Sequence, residues 1–282
     1  ARASPWSTGA SYSSADASRN RPAHRVSMTA LSGWFRLAVR APLLLGLLLG
    51  ALATAVLVVP RSSAARRDRV VRRWSRMLLG VCGVRLRECP GEGAEPLATR
   101  RGGQLLLVNH VSWVDILLVM SIAPAHFVAK SEIARWPLLG TLASRAGTLF
   151  IERGKRHAVH RLNRRIVEVM NEGRRVAVFP EGTTSDGAQL LPFHGNLVEA
   201  ALQARVPVIP VGLRYLDRDH RPTDAAVFIG RMAFVTSLAR ILSAPLIVAE
   251  VHPLPPAQGA TRQQVAEHAR RSIAARLALP LD

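Results

Sequence analysis

At 282 residues the chain can hold one sizeable α/β domain with an anchor, and it is marginal for two full domains. Its hydrophobic share of 49% is ordinary for a packed core. Against 38 Lys+Arg stand 19 Asp+Glu, a net charge of +19, and arginine supplies nearly all of the excess because Lys130 and Lys155 are the only lysines. Such a balance says nothing about fold, but it favours anionic partners: phospholipid surfaces, nucleic acid or an acidic carrier protein.

Residues 1–27 are rich in Ser, Ala and Arg without apolar periodicity, and read as a disordered extension or a misplaced start upstream of Met28. From Ala41 to Val59 the chain carries nineteen residues without a charge, which as a helix would reach about 28 Å, close to the hydrocarbon thickness of a bilayer. Pro42 falls in the expected first turn, where a helix tolerates it. A membrane anchor fits this run, while a cleaved signal peptide or a buried core helix would share its composition.

Arg21, Arg25, Arg36 and Arg40 precede the run, and Arg61, Arg66, Arg67, Arg69, Arg72, Arg73 and Arg76 follow it. Under the positive-inside rule that bias places the C-terminal side in the cytoplasm, at the cell inner membrane. Val70, Val71, Trp74, Met77 and Leu78 then recur at near-helical spacing among the arginines. They suit a second helix lying on anionic headgroups, although a solvated basic linker has the same composition. Cys82 and Cys89 match no zinc or thioredoxin spacing and read as structural.

Beyond a Gly/Pro/Glu-containing stretch, apolar runs alternate with amphipathic ones. Expected strands are Gln104–Val108, His126–Ala129, Thr148–Ile151, Val176–Phe179, Pro207–Arg214 and Leu246–Val251. Expected helices are Val114–Ser121, Ile133–Ala146, His157–Glu172, Leu197–Gln203 and Arg262–Leu277. The alternation predicts an α/β fold with a mainly parallel sheet and flanking helices, preceded by the N-terminal membrane-anchoring helical segment. The expected organisation is 1–27 extension, 28–80 anchoring helices and 81–282 catalytic domain.

The segment LLLVNHVSWVD puts Asn109 and His110 where a strand gives way to a helix, at the edge that forms the ligand crevice of open α/β sheets. His110 and Asp115 would lie about 140° apart on one helix. They meet only if His110 precedes the helix and Asp115 sits in its first turns. The carboxylate then holds the imidazole tautomer and leaves the other nitrogen as a general base. On spacing alone, a structural histidine with an unrelated aspartate is the better reading.

Three further stretches bear on this. Phe150-Ile151-Glu152-Arg153 ends one strand, Phe179-Pro180-Glu181-Gly182-Thr183-Thr184 ends another, and Val206 to Pro210 opens a third. In this order and at these intervals, with Asn109, His110 and Asp115 as the first block, they resemble the four blocks of the glycerolipid (lysophosphatidic acid-type) acyltransferase family, over about residues 100–215. The resemblance implies His110 and Asp115 as catalytic residues, and Asn109, Arg153, Glu181, Gly182 and Thr183 as substrate-binding ones. It also implies a lysophospholipid acceptor, acyl-CoA or acyl carrier protein as donor, contact with anionic membrane lipids, and no cofactor, metal or nucleic acid. Thr184 stands where many lysophosphatidate acyltransferases carry arginine. The form Phe-Pro-Glu-Gly-Thr-Thr-Ser-Asp-Gly looks more like the lyso-ornithine lipid branch, so both acceptors stay open.

Other chemistries find less support. No serine sits in a Gly-x-Ser-x-Gly elbow. Gly154-Lys155 lacks the preceding glycine and the following Ser/Thr of a phosphate-binding loop. His126, His157, His160, His194 and His252 read as surface or supporting residues, with His194 nearest the third block. Aromatic residues make up only 5%, too few for stacking platforms along single-stranded nucleic acid.

Overall fold

The computed structural model describes residues 28–152 and 156–281. Two N-terminal helices come first, α1 (Met28–Leu57) and α2 (Ala64–Val81). The domain that follows runs β1 (Val84–Glu88), β2 (Gln104–Val108), α3 (Val114–Ile122), β3 (His126–Lys130), α4 (Leu139–Ala146), β4 (Leu149–Ile151), α5 (Arg156–Asn171) and β5 (Arg175–Val178). It closes with α6 (Val198–Ala204), β6 (Val208–Leu216), α7 (Phe234–Ser243), β7 (Ile247–Pro253) and α8 (Arg262–Leu277).

The seven strands form one sheet in the order β1-β7-β6-β2-β5-β3-β4. Every pairing is parallel except β6 with β7, so β1 and β7 run against the other five. The sheet is thus mainly parallel, as the alternating pattern predicts. Central β2 is buried on both faces. Leu106 and Val108 pack toward α2, α3 and α7, whereas Leu105 and Leu107 pack toward α5, α6 and α8. A continuous apolar run with no polar alternation is what a strand covered on both sides needs. Gly103, just before β2, has no room for a side chain, because an added Cβ would lie 2.0 Å from the Met170 carbonyl oxygen.

Several expected elements differ in detail. The helix expected over Ile133–Ala146 is split: a 3-10 turn at Ser131–Arg135 precedes α4, and between them lie Pro137, which disfavours helix in the residue before it, and Leu138 at φ 63°. Strand β1 and helix α7 were not among the expected elements. In β1, arginines alternate with apolar residues along a half-exposed edge strand. Helix α7 has no side-chain N-cap, and the carbonyls at its end are taken by Arg36 and Arg40, two hundred residues away in the sequence.

Those arginine contacts bear on the apolar segment. Arg36 Nε donates to the Ser243 carbonyl at 2.8 Å, and Arg40 Nη1 donates to Leu242 and Ala244 at 3.0 and 2.7 Å. Cations at a helix C-terminus also complement its dipole. Pro42 is interior to α1, not in its first turn, because the helix begins at Met28. Helix α1 is long and apolar enough to cross a membrane. One stripe of it (Gly33, Leu44, Ala51, Ala55) is nonetheless buried against the domain, while Leu31, Trp34, Phe35, Leu43, Leu45 and Leu49 stay exposed on the other side. Ser63 caps α2 by accepting from the Arg66 backbone N–H, so the basic segment is a helix and not a linker.

Candidate active site

The site lies at the carboxyl ends of β2 and β5. Helix α3 starts only at Val114, so His110 sits in the turn before it and Asp115 in its first turn. This is the arrangement the five-residue spacing requires. His110 Nδ1–H donates to Asp115 Oδ2 at 2.8 Å, with the histidine side chain 18% exposed and the aspartate 0%. Asp115 Oδ2 also accepts the backbone N–H groups of Val111 and Ser112, both at 2.8 Å. Its other oxygen, Oδ1, accepts the Tyr215 hydroxyl at 2.5 Å. The carboxylate is therefore immobile, and it fixes the tautomer that leaves His110 Nε2 unprotonated. Among the described residues that nitrogen has no hydrogen-bond partner. The imidazole lies flat on Phe179, with ring centroids 3.7 Å apart and planes at 8°.

The third block grips the backbone of His110. Glu181 Oε1 accepts the His110 N–H at 2.6 Å and Oε2 accepts the Leu191 N–H at 3.3 Å. The Ser185 N–H donates to the His110 carbonyl at 2.8 Å. Between these anchors Gly182 adopts φ +72°, a left-handed conformation that side chains resist. Burial, opposed by those two backbone donors, pushes the Glu181 carboxyl up to about 7.

Two residues expected to bind substrate are hydrogen-bonded to the backbone. Asn109 is fully buried; its Nδ2 donates to the Leu213 carbonyl at 3.0 Å and its Oδ1 accepts the Leu213 N–H at 2.6 Å. With its amide spent on β6, it fastens the end of β2 beneath the site. Glu181 is likewise committed to backbone amides and holds His110 in place. Gly182 and Thr183 are exposed on the loop, with His194 flanking Gly182. Arg153 lies outside the described residues. Lys130, at the carboxyl end of β3, is an exposed cation on the same rim.

Phe150 pairs through its strand with Ala129 and so shares a sheet face with Phe127, which contacts Phe179 at 5.4 Å between centroids. Its strand β4 is two strand spacings, about 10 Å, from β5. A cleft of about 640 Å³ opens there between the α1–α2 turn and α4, lined by Phe150 with Arg67, Arg145, Ser62, Ser144 and Thr141. The fourth block, Val206 to Pro210, enters β6 and builds core beside β2, not the rim.

Two histidines expected near the surface are buried. His126 Nδ1–H donates to the Gly147 carbonyl at 2.6 Å, and burial with the Arg174 charge lowers its pKa to about 4. His252 donates to Glu250 at 3.2 Å and accepts from Arg276 at 3.1 Å. Cys89, Glu250 and His252 approach one another closely enough to suggest a metal site. However, Arg214 binds Glu250 through Nε and Nη2, both at 2.7 Å, and Arg276 occupies the second His252 nitrogen, so guanidinium groups already fill the role of a cation.

A family model described as Acyltransferase matches residues 92–214. A lyso-ornithine lipid O-acyltransferase of Pseudomonas aeruginosa is 39% identical over 216 residues, covering 76% of this chain and 79% of that protein. A 1-acyl-sn-glycerol-3-phosphate acyltransferase of Neisseria meningitidis serogroup B is 38% identical over 181 residues, covering 63% of this chain and 67% of that one. The crystal structure of the 1-acyl-sn-glycerophosphate (LPA) acyltransferase PlsC from Thermotoga maritima shares the fold, with a TM-score of 0.64 at 18% identity over 89% of this chain and 97% of that chain. With a relative aligned over four-fifths of its length and a histidine–aspartate pair at the sheet's carboxyl edge, the chain belongs to the acyltransferase family.

Proposed function

We propose that this protein transfers an acyl chain from an acyl thioester to the free hydroxyl of a lysolipid, with 1-acyl-sn-glycerol-3-phosphate as acceptor. The observation that carries the reading is His110, its Nδ1–H held at 2.8 Å by an Asp115 carboxylate that accepts three further hydrogen bonds, and its Nε2 unengaged among the described residues. Nε2 takes the acceptor's hydroxyl proton as the oxygen attacks the thioester carbonyl. The C–S bond then breaks, and the imidazolium returns the proton to the departing thiolate. The Asp115 carboxylate stabilises the imidazolium between these steps. No covalent enzyme intermediate and no cofactor are required; acyl-CoA or acyl carrier protein is a co-substrate. The cleft beside Phe150 would take the headgroup, with Arg67 and Arg145 facing its charge.

Lyso-ornithine lipid is a second acceptor reading, favoured by Thr184 in the third block and by the Pseudomonas relative. The membrane reading rests on α1 and α2. The exposed apolar stripe of α1 and the arginines of α2 suit a helix pair lying in one leaflet of an anionic membrane, since the other face of α1 is packed on the domain. A thioester donor, being a cytoplasmic metabolite, favours the cytoplasmic face of the inner membrane for that surface.

The test is acyl transfer by purified protein in lipid micelles, supplied with either lysolipid and either thioester. His110→Ala should keep its melting temperature and lose kcat by roughly 10²-fold or more. Near-normal turnover by folded His110→Ala protein would overturn the mechanism.

A further inference from the structure

Asp115 is held from one side by a group that no motif contains. Strand β6 alternates its side chains, so Leu213 and Tyr215 face α3 while Arg214 faces α8. Tyr215 is 5% exposed, and its hydroxyl reaches Asp115 Oδ1 at 2.5 Å. The two backbone donors and His110 all converge on Oδ2, which leaves Oδ1 to the phenol. Burial and the adjacent carboxylate keep the phenol protonated, so the donor is permanent.

We propose that Tyr215 is a positioning residue for acyl transfer: its hydroxyl locks the Asp115 carboxylate and draws off part of its charge, which sets the pH at which His110 can accept a proton. The inference rests on His110 being the general base. A carboxylate that shares its charge with a phenol holds the imidazolium less tightly, so His110 releases its proton at lower pH. Without the phenol, a buried Oδ1 is left unpaired, the carboxylate becomes more basic and the imidazolium is held more tightly.

Ionisable groups reach this carboxylate from three directions: His110 from the β2–α3 turn, Glu181 from the loop after β5, and Tyr215 from β6. The charges on neighbouring elements are engaged elsewhere. Arg76 of α2 bonds the Ser121 carbonyl, Arg240 of α7 pairs with Asp224, and Glu250 and His252 of β7 pair with Arg214 and Arg276 on the sheet's other face.

Perturbations in both directions test the proposal. Tyr215→Phe keeps the shape and removes the donor; kcat should fall roughly tenfold with both KM values unchanged, and the acid limb of kcat/KM should move up by about one pH unit. The sequence has two tyrosines, so in a Tyr12→Phe background 3-fluorotyrosine incorporation alters Tyr215 alone. A more acidic phenol donates more strongly, and the limb should move to lower pH without any side chain being lost. This second arm remains informative if Tyr215→Phe fails to fold. In an Asp115→Asn background Tyr215→Phe should change kcat by less than about twofold, because the two act as a unit. An acid limb unmoved by fluorination, or a tenfold loss repeated in full on Asp115→Asn, would overturn the inference. An active His110→Ala protein would instead remove the base on which it stands.

Discussion

Glu181 gives the site a stability that depends on pH, in a direction opposite to most carboxylates. Its carboxyl titrates near 7 in the fold, against 4.5 for an exposed glutamate. Because the folded value is raised, the contribution is fully present below about 4.5. It declines as the unfolded chain ionises first, and it is lost as pH passes through about 7. A shift of this size amounts to roughly 3 kcal/mol. For a chain of this length that is a fall of roughly 6–12 °C in melting temperature.

Glu181→Gln keeps an acceptor for the His110 N–H and removes the titration. Thermal melts of both proteins in the same detergent, from pH 4.5 to 8, isolate the effect as the difference between two curves. Other groups, His126 and His252 among them, cancel in that difference. The variant should gain on the wild type steadily across the window and hold its gain above pH 7.5. Parallel curves would refute the account, since they would mean that burial does not hold the proton on Glu181.

Three further outcomes follow from the geometry. Asn109→Ala removes two buried hydrogen bonds to Leu213 and should destabilise the protein by about 2–4 kcal/mol while leaving KM unchanged, as denaturation and kinetics will show; a selective KM effect would return Asn109 to substrate binding. Single cysteines replacing Leu31 and Leu57, in a background without Cys89, should both react with an impermeant reagent from the side that carries the catalytic domain; labelling from opposite sides would mean that α1 spans the bilayer. Thr184→Arg should leave lysophosphatidate turnover intact or raise kcat/KM up to about tenfold, and should not help lyso-ornithine lipid; exclusive use of lyso-ornithine lipid by the wild type would overturn the first acceptor.

Most of the sheet was legible because buried parallel strands are continuous apolar runs, and Gln104–Val108 and Arg262–Leu277 match the expected bounds. Helix α8 opens with a capping box formed by Thr261 and Gln264. Helix α7 lacks a side-chain N-cap, and the partners of its C-terminal carbonyls, Arg36 and Arg40, are a long-range solution that no local pattern announces. The site divides in the same way. The contact between His110 and Asp115 was readable from a spacing that the start of α3 at Val114 permits. Tyr215 was not, since it lies just past the expected strand Pro207–Arg214 and its hydroxyl looks like core until the helix packed on that face, α3, is known. The backbone contacts of Asn109 and Glu181 were not legible either, because a polar residue beside a histidine–aspartate pair suggests substrate contact and only the structure shows its hydrogen bonds to the main chain.

The loop after β5 separates buried anchors from exposed residues. Glu181 and Ser185 fasten the loop to the N–H and carbonyl of the same residue, His110, and Asn109 fastens the strand below it. These contacts use a buried carboxylate, a buried amide and main-chain groups, so their demands on the sequence are strict. Residues 182–184 bridge the anchors, with Gly182 and Thr183 exposed and Thr184 partly so. Of these three, Gly182 alone is fixed by backbone conformation, at φ +72°. A substitution at 184 can therefore alter the charge of the loop by a full unit while the imidazole, its aspartate and the Phe179 ring beneath it stay where they are. The loop after β5 thus exposes residues 182 and 183 while Glu181 and Ser185 hold the backbone of His110.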